Sequence, residues 1–262
     1  MVHGPIDLAH ARVLICNDDG IHAPGLKLLE NIVRGVARET WVVAPETEQS
    51  AASHSLTMRR PLFLREVGER RYTVDGTPTD CVLIAVHQVM KDSPPDLVLS
   101  GINRGGNLGE DVTYSGTVAA AKEGALLGFR SIALSQVYDD QKQVLWGTSE
   151  QCIGGLLRRL AATEWPMDVV LNVNIPHVPA ASVTGVEVTR QGRRKIGGCM
   201  VEGMDPRGQP YFWIGGGREE DRGRKGTDLE AVHRGAISVT PLTLDLTHHG
   251  ALDVLKGEEA FR

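Results

Sequence analysis

Cysteine is scarce and never paired in this chain. Cys16, Cys81, Cys152 and Cys199 are far apart and form no CxxC spacing, which excludes a zinc knuckle. They read as buried thiols, so nothing calls for an oxidising compartment. Long apolar runs are missing too. The opening MVHGPIDLAH has no hydrophobic core of the signal-peptide type, and no stretch reaches a membrane span. A cytoplasmic protein is expected. No long basic run appears and the net charge is −5, which argues against a nucleic-acid polymer as partner while leaving room for a small phosphate ligand. The one basic cluster, RQGRRK at 190–195, has no aromatic company and reads as a surface loop. The mixed-charge REEDR at 218–222 reads as solvated, and Trp146, Trp165 and Trp213 as packing residues. The first strand–helix loop lacks GxGxxG, and no internal repeat is visible.

What is present is the composition of a globular core: 262 residues, 41% hydrophobic and 23% charged. Continuous apolar runs at 13–16 (VLIC), 41–44 (WVVA), 97–100 (LVLS), 132–135 (IALS) and 169–173 (VVLNV) read as buried strands. Helical patterns lie between most of them. Leu26, Leu29, Ile32, Val33 and Val36 recur at helical spacing. A second helix over 81–90 is announced by Thr77 as N-cap, Pro78 at the first position and Asp80 in the first turn. A small-residue helix covers 116–127 and a fourth 150–162. This alternation predicts an α/β fold: a doubly wound, Rossmann-like, mostly parallel sheet with helices on both faces, over residues 11–180. Residues 181–250 change character. They are rich in Gly and Arg, with an alternating run AISVTPLTLDL at 236–246, and read as an extended β-rich C-terminal appendage rather than a second domain.

The polar residues are unevenly placed. The first strand runs straight into Asn17-Asp18-Asp19, the second into Pro45 to Ser50 and on to Ser55, and the third into Ser100 to Asp111. The connections at the other edge, 37–40 and 128–131, are short and plain. An isolated NDDG is ordinarily a turn. Delivery by three strand ends to one side of a parallel sheet is where such folds bind ligands. At the same edge Ser115 caps the small-residue helix, and the first-turn N–H groups of Ser115, Gly116 and Thr117, with Asn107 nearby, suit a phosphate. Carboxylates repel a phosphate unless a cation intervenes, so one divalent ion, Mg²⁺ or Mn²⁺, is expected between them.

These residues resemble the SurE (survival protein E) family of metal-dependent nucleotide phosphatases. The resemblance runs from residue 12 to 250 and includes NDDGIHAPG at 17–25, VVAP at 42–45, GTPTDCV at 76–82, the long SGINRGGNLGEDVTYSGTVAAAKEG at 100–124, DPRG at 205–208, GTD at 226–228 and SVTPL at 238–242. It implies a metal held by Asp18, Asp19, Ser50 and Asn103, a nucleoside 5′- or 3′-monophosphate or short polyphosphate as substrate, and a homodimer or homotetramer built through the C-terminal extension. Family members often carry Ser-Gly where this chain has Ser50-Ala51.

The expected reaction is phosphomonoester hydrolysis by an attacking water that a divalent ion acidifies, with Asp18, Asp19 and Asn103 as catalytic residues. An aspartyl nucleophile of the haloacid-dehalogenase type needs a DxDxT pattern, which the DDGI here does not match. His22 and His54 are the candidates for the acid that protonates the leaving group. Two other classes remain: a nucleotide-binding module without hydrolysis, and an assembly protein that works through its β-rich appendage.

Overall fold

The computed structural model describes residues 2–139, 141, 143–196, 200–214, 218–221 and 223–257. Cys199 and Arg222 fall outside them.

The buried apolar runs become the middle of a nine-stranded sheet. In chain order its strands are β1 (Arg12–Cys16), β2 (Glu39–Pro45), β3 (Leu64–Gly68), β4 (Arg71–Val74), β5 (Leu97–Arg104), β6 (Arg130–Gln136), β7 (Val169–Ile175), β8 (Gly185–Val188) and β9 (Ala236–Thr243). They lie side by side in the order β8-β9-β7-β6-β5-β1-β2-β4-β3. All neighbours are parallel except β9 with β7 and β3 with β4. The α/β expectation is met, with helices on both faces.

Side-chain alternation along β1 divides the core. Val13 and Ile15 face one layer, Leu14 and Cys16 the other. Against the first layer pack α1 (Pro24–Arg34) and α4 (Trp146–Ala161). Leu26, Leu29 and Val33 of α1 are fully buried there, each such burial being worth about 1.5–3 kcal/mol. Against the other layer pack α2 (Pro78–Ile84) and α3 (Gly116–Leu126). The α2 start is as the sequence indicates: Thr77 and Asp80 form a reciprocal capping box. Its second half, Ala85–Val89, is a π-helical turn.

The C-terminal stretch is less uniform than the sequence suggests. β8 and β9 complete the central sheet, whereas Arg194–Ile196 with Arg218–Glu220, and Met200–Met204 with Pro210–Ile214, form an antiparallel arm in one register. Two surface expectations are overturned here. Arg194 is buried and ion-paired to Asp111 and Glu220, so Arg194 of the 190–195 cluster and Glu220 of the 218–221 stretch are not simply solvated. Trp213 is 68% exposed on the arm rather than packed, whereas Trp165 is buried under the Arg130 guanidinium. A short helix α5 (Asp228–His233) leads into β9, and a last helix α6 (His249–Gly257) follows it. No described helix is long and apolar enough to cross a membrane.

Candidate active site

The chain leaves β1 for β2 on one side and later returns to place β5 on the other side of β1. That reversal opens a crevice past the carboxyl ends of β1 and β5, the usual ligand position in such sheets. A cleft of about 380 Å³ occupies it. Asp18, Asp19, Ser50, Asn103, Asn107 and Ser115 all line it, joined by Glu48, Arg104, Asp111, Tyr114 and Tyr138.

Backbone hydrogen bonds hold the three loops together. Gln49 donates its N–H to the Asp18 carbonyl at 2.8 Å, and Ile21 donates to Pro45 at 2.8 Å. The Arg104 N–H reaches the Asp19 carboxylate at 3.0 Å. Ser53 donates through its hydroxyl to the Thr113 carbonyl and through its N–H to Tyr114. The Ser50 loop is thereby tied to both neighbours. Asn107 is fixed from below: its N–H donates to Asn174 Oδ1 at 2.8 Å, its carbonyl accepts from Asn172 and Asn174, and its amide donates to Ser135.

Two adjacent carboxylates in a partly closed cleft are electrostatically unhappy, and that is informative. Burial pushes Asp18 up to about 6; the Thr117 hydrogen bond opposes this and the Asp19 charge adds to it. Asp19 is also raised, first by burial and then by the charge of Glu48, against the pull of the Arg104 N–H and guanidinium. A divalent cation relieves both at once. The neutral oxygens fit the same ion. Ser50 donates its proton to Glu48 at 2.5 Å, so its oxygen is left to accept. Asn103 donates its amide to the Gly105 carbonyl at 2.8 Å, which leaves its own carbonyl oxygen as the acceptor. Among the described residues no three His, Cys, Asp or Glu side chains converge on a metal position, so a metal held by the two carboxylates would draw on such neutral groups to complete a set of hard oxygen donors.

Gly116 and Thr117, expected on the sequence to offer backbone N–H groups to the substrate phosphate, are not among the residues lining the cleft. Thr117 is fully buried and gives its hydroxyl to Asp18 Oδ1. A Cβ on Gly116 would sit 2.8 Å from Asp18 Cβ. The start of α3 therefore grips the Asp18 carboxylate, an anion belonging to the protein itself. Ser115 caps the helix by accepting from Val118 N–H and still lines the cleft. Neither candidate histidine does. His22 is exposed, and His54 Nε2 lies 2.8 Å from Glu123 Oε2 on α3. Residues missed on the sequence include Glu48 and Arg104, which sit inside the loops already singled out. Tyr138 was missed because a fourth strand end, that of β6, also feeds the cleft.

The family model for Survival protein SurE matches residues 13–198. The chain belongs to the SurE family. It is 61% identical over 250 residues to the 5′-nucleotidase SurE of Paramagnetospirillum magneticum, covering 95% of this chain and 96% of that one. It is 53% identical over 254 residues to the 5′-nucleotidase SurE of Rhodospirillum rubrum, covering 96% and 97%. The crystal structure of the SurE protein from Aquifex aeolicus superposes with a TM-score of 0.82 at 38% identity, over 94% of this chain and 98% of that one. Within this SurE chain the Ser50-Ala51 step carries a cost. Ala51 takes φ +59°, a left-handed conformation that costs a residue with a Cβ roughly 1–2 kcal/mol.

Proposed function

We propose that this chain is a divalent-metal-dependent 5′-nucleotidase: it hydrolyses nucleoside 5′-monophosphates, and also 3′-monophosphates and short polyphosphate, to release inorganic phosphate. The observation that carries the reading is the meeting of Asp18, Asp19, Ser50 and Asn103 in one cleft at the sheet's switch point. The full-length likeness to proteins named 5′-nucleotidase SurE supports the substrate class. Those four residues would hold one Mg²⁺ or Mn²⁺. Bound there, the ion supplies charge compensation for the phosphoryl oxygens and acidifies water.

The chain's own groups do the rest. Thr117 and the start of α3 hold Asp18 in place, and Glu48 orients the Ser50 hydroxyl. Asn107 and Ser115 face the substrate phosphate from a segment whose backbone is already immobilised. Preorganised dipoles of this kind need no rearrangement as charge develops. Arg104 adds positive charge beside them, and Tyr114 and Tyr138 offer rings on which a base can stack. The phosphate-release assay on a panel of nucleoside 5′- and 3′-monophosphates and tripolyphosphate, with Mn²⁺ or Mg²⁺, tests the reading. Release from the 5′-monophosphates is the expected result; release from none of the panel moves the assignment to a binding module.

The same reading makes the protein a homodimer or homotetramer. Met200, Met204, Tyr211, Phe212, Trp213 and Ile214 are all exposed on one short arm, an apolar surface of the kind that marks an interface. Sedimentation is expected to return a closed multiple of 28.4 kDa, and a monomer would refute it. Cys16, Cys81 and Cys152 are free thiols, as a reducing cytoplasm keeps them.

A further inference from the structure

Asp228 lies outside the cleft, on the first turn of α5, and is fully buried. Its carboxylate serves three backbone N–H groups. Oδ2 accepts from Gly109 at 2.9 Å, and Oδ1 accepts from Gly192 at 2.7 Å and from Leu229 at 2.9 Å. Three stretches distant in sequence therefore meet on one side chain. Both glycines are required for the approach. A Cβ on Gly192 would stand 2.8 Å from Asp228 Oδ1, and Gly109 has φ +55° with Arg194 N 2.9 Å from where its Cβ would be.

Gly109 is the important partner. It sits in the middle of the segment that brings Asn107, Asp111, Tyr114 and Ser115 to the cleft. The entry to that segment is fixed by Asn172 and Asn174, which grip the Asn107 backbone. After Asn107 the chain enters the 3-10 turn Gly109–Thr113, and there Asp228 holds it by a carboxylate acceptor. The metal-side residues are carried mainly by the ends of β1, β2 and β5, the Ser50 loop touching the segment only through Ser53 at Thr113 and Tyr114. We infer that Asp228 is a positioning residue for the nucleotidase reaction, setting where the 107–115 segment presents Asn107 and Ser115 to the substrate phosphate. The inference rests on the function proposed above.

Asp228→Asn separates this role from a merely structural one. It keeps the shape but turns one acceptor into an N–H donor that faces a backbone N–H. KM for a nucleoside 5′-monophosphate is expected to rise about tenfold or more, since small misplacements of positioning groups have effects of that size. Mn²⁺ affinity, read by calorimetry without substrate, is expected to stay within about twofold, because the metal-side residues share no partner with Asp228. Hydrogen exchange is expected to quicken over residues 105–113 and 190–194 only. An unchanged KM overturns the inference. So does a parallel fall in Mn²⁺ affinity with faster exchange along the whole chain, the mark of general destabilisation. If the Asn variant does not fold, Gly192→Ala displaces the same carboxylate oxygen more gently. It should raise KM severalfold at unchanged Mn²⁺ affinity, and an unchanged KM in that variant is equally fatal. Absence of phosphate release from the unsubstituted protein would defeat the functional reading instead, and the local exchange change in Asp228→Asn would still judge whether Asp228 holds the segment.

Discussion

Asp19→Asn is expected to lower kcat/KM for phosphate release by roughly 10³-fold or more, about 4 kcal/mol of transition-state stabilisation. Asparagine keeps the shape and an oxygen, but it removes one of the two charges that hold a divalent ion. Asp18→Asn should lose as much. Its effect on the metal-free protein runs the other way. Asp18 has a folded value of about 6 against an ordinary 3.8, because burial penalises its charge. Folding therefore bears a cost when Asp18 is ionised, and the cost is complete above pH 6. It fades as the pH falls through 6 and is gone below 3.8, where the carboxyl is protonated in both states. At pH 7 it is on the order of 3 kcal/mol. Metal-free Asp18→Asn is therefore expected to melt higher than the wild type at pH 7, by a margin that shrinks at pH 4.5, while its activity is lost. Thermal melts in EDTA at both pH values, alongside phosphate-release kinetics with Mn²⁺, read the two effects. Full turnover in Asp19→Asn would remove the carboxylate pair from the chemistry.

Gly25→Ala should damage fold and site together. Gly25 is the last residue of HAPG, in the first turn of α1. An added Cβ would overlap the Ile102 carbonyl oxygen and lie 2.9 Å from the Trp146 ring. Neither neighbour can yield cheaply. Ile102 is fully buried in β5 and Trp146 opens α4 against the core. Overpacking of this type costs about 1–3 kcal/mol, and for a chain of this size each kcal/mol is worth about 2–4 °C in Tm. The strain falls on the residue before Asn103, so the loss of activity should exceed what the lost stability explains. A decline of about 100-fold is expected in protein that is still folded at assay temperature. Calorimetry and phosphate release at a temperature well below the melt separate the two. Unchanged melting and unchanged activity would show that α1 does not press on the strand end as described.

The central strands and the residues at their carboxyl ends were legible in the sequence because they follow simple rules. A strand buried on both faces is continuously apolar, and the residue after it must either turn or bind. The HAPG run was harder. Its glycine is dictated by a contact with Ile102, far away in sequence. The edge hairpin β3–β4 escaped notice because LREVG is exposed at every position and carries as much charge as a loop. Within the stretch read as β-rich, the hairpin pairing of the arm was not legible for a related reason: Met200–Met204 and Pro210–Ile214 present apolar groups to the outside, so no inward face marks the paired strands. The capping signal at Ser115 told where N–H groups would be unpaired but not which anion would meet them. That Gly116 packs closely against Asp18 could not be read from the capping signal. The two histidines lay in loops next to the strand ends in sequence. His54 is nonetheless taken up by Glu123, a pairing that depends on how the 50–55 loop folds over α3.

The most direct test of a metal-dependent centre at Asp18 and Asp19 is phosphate release from a nucleoside 5′-monophosphate, measured first with Mn²⁺, then with excess EDTA, then after Mn²⁺ is restored. The proposed centre predicts release that EDTA abolishes and added metal restores, with no restoration in Asp19→Asn. Release that continues undiminished in EDTA would contradict it.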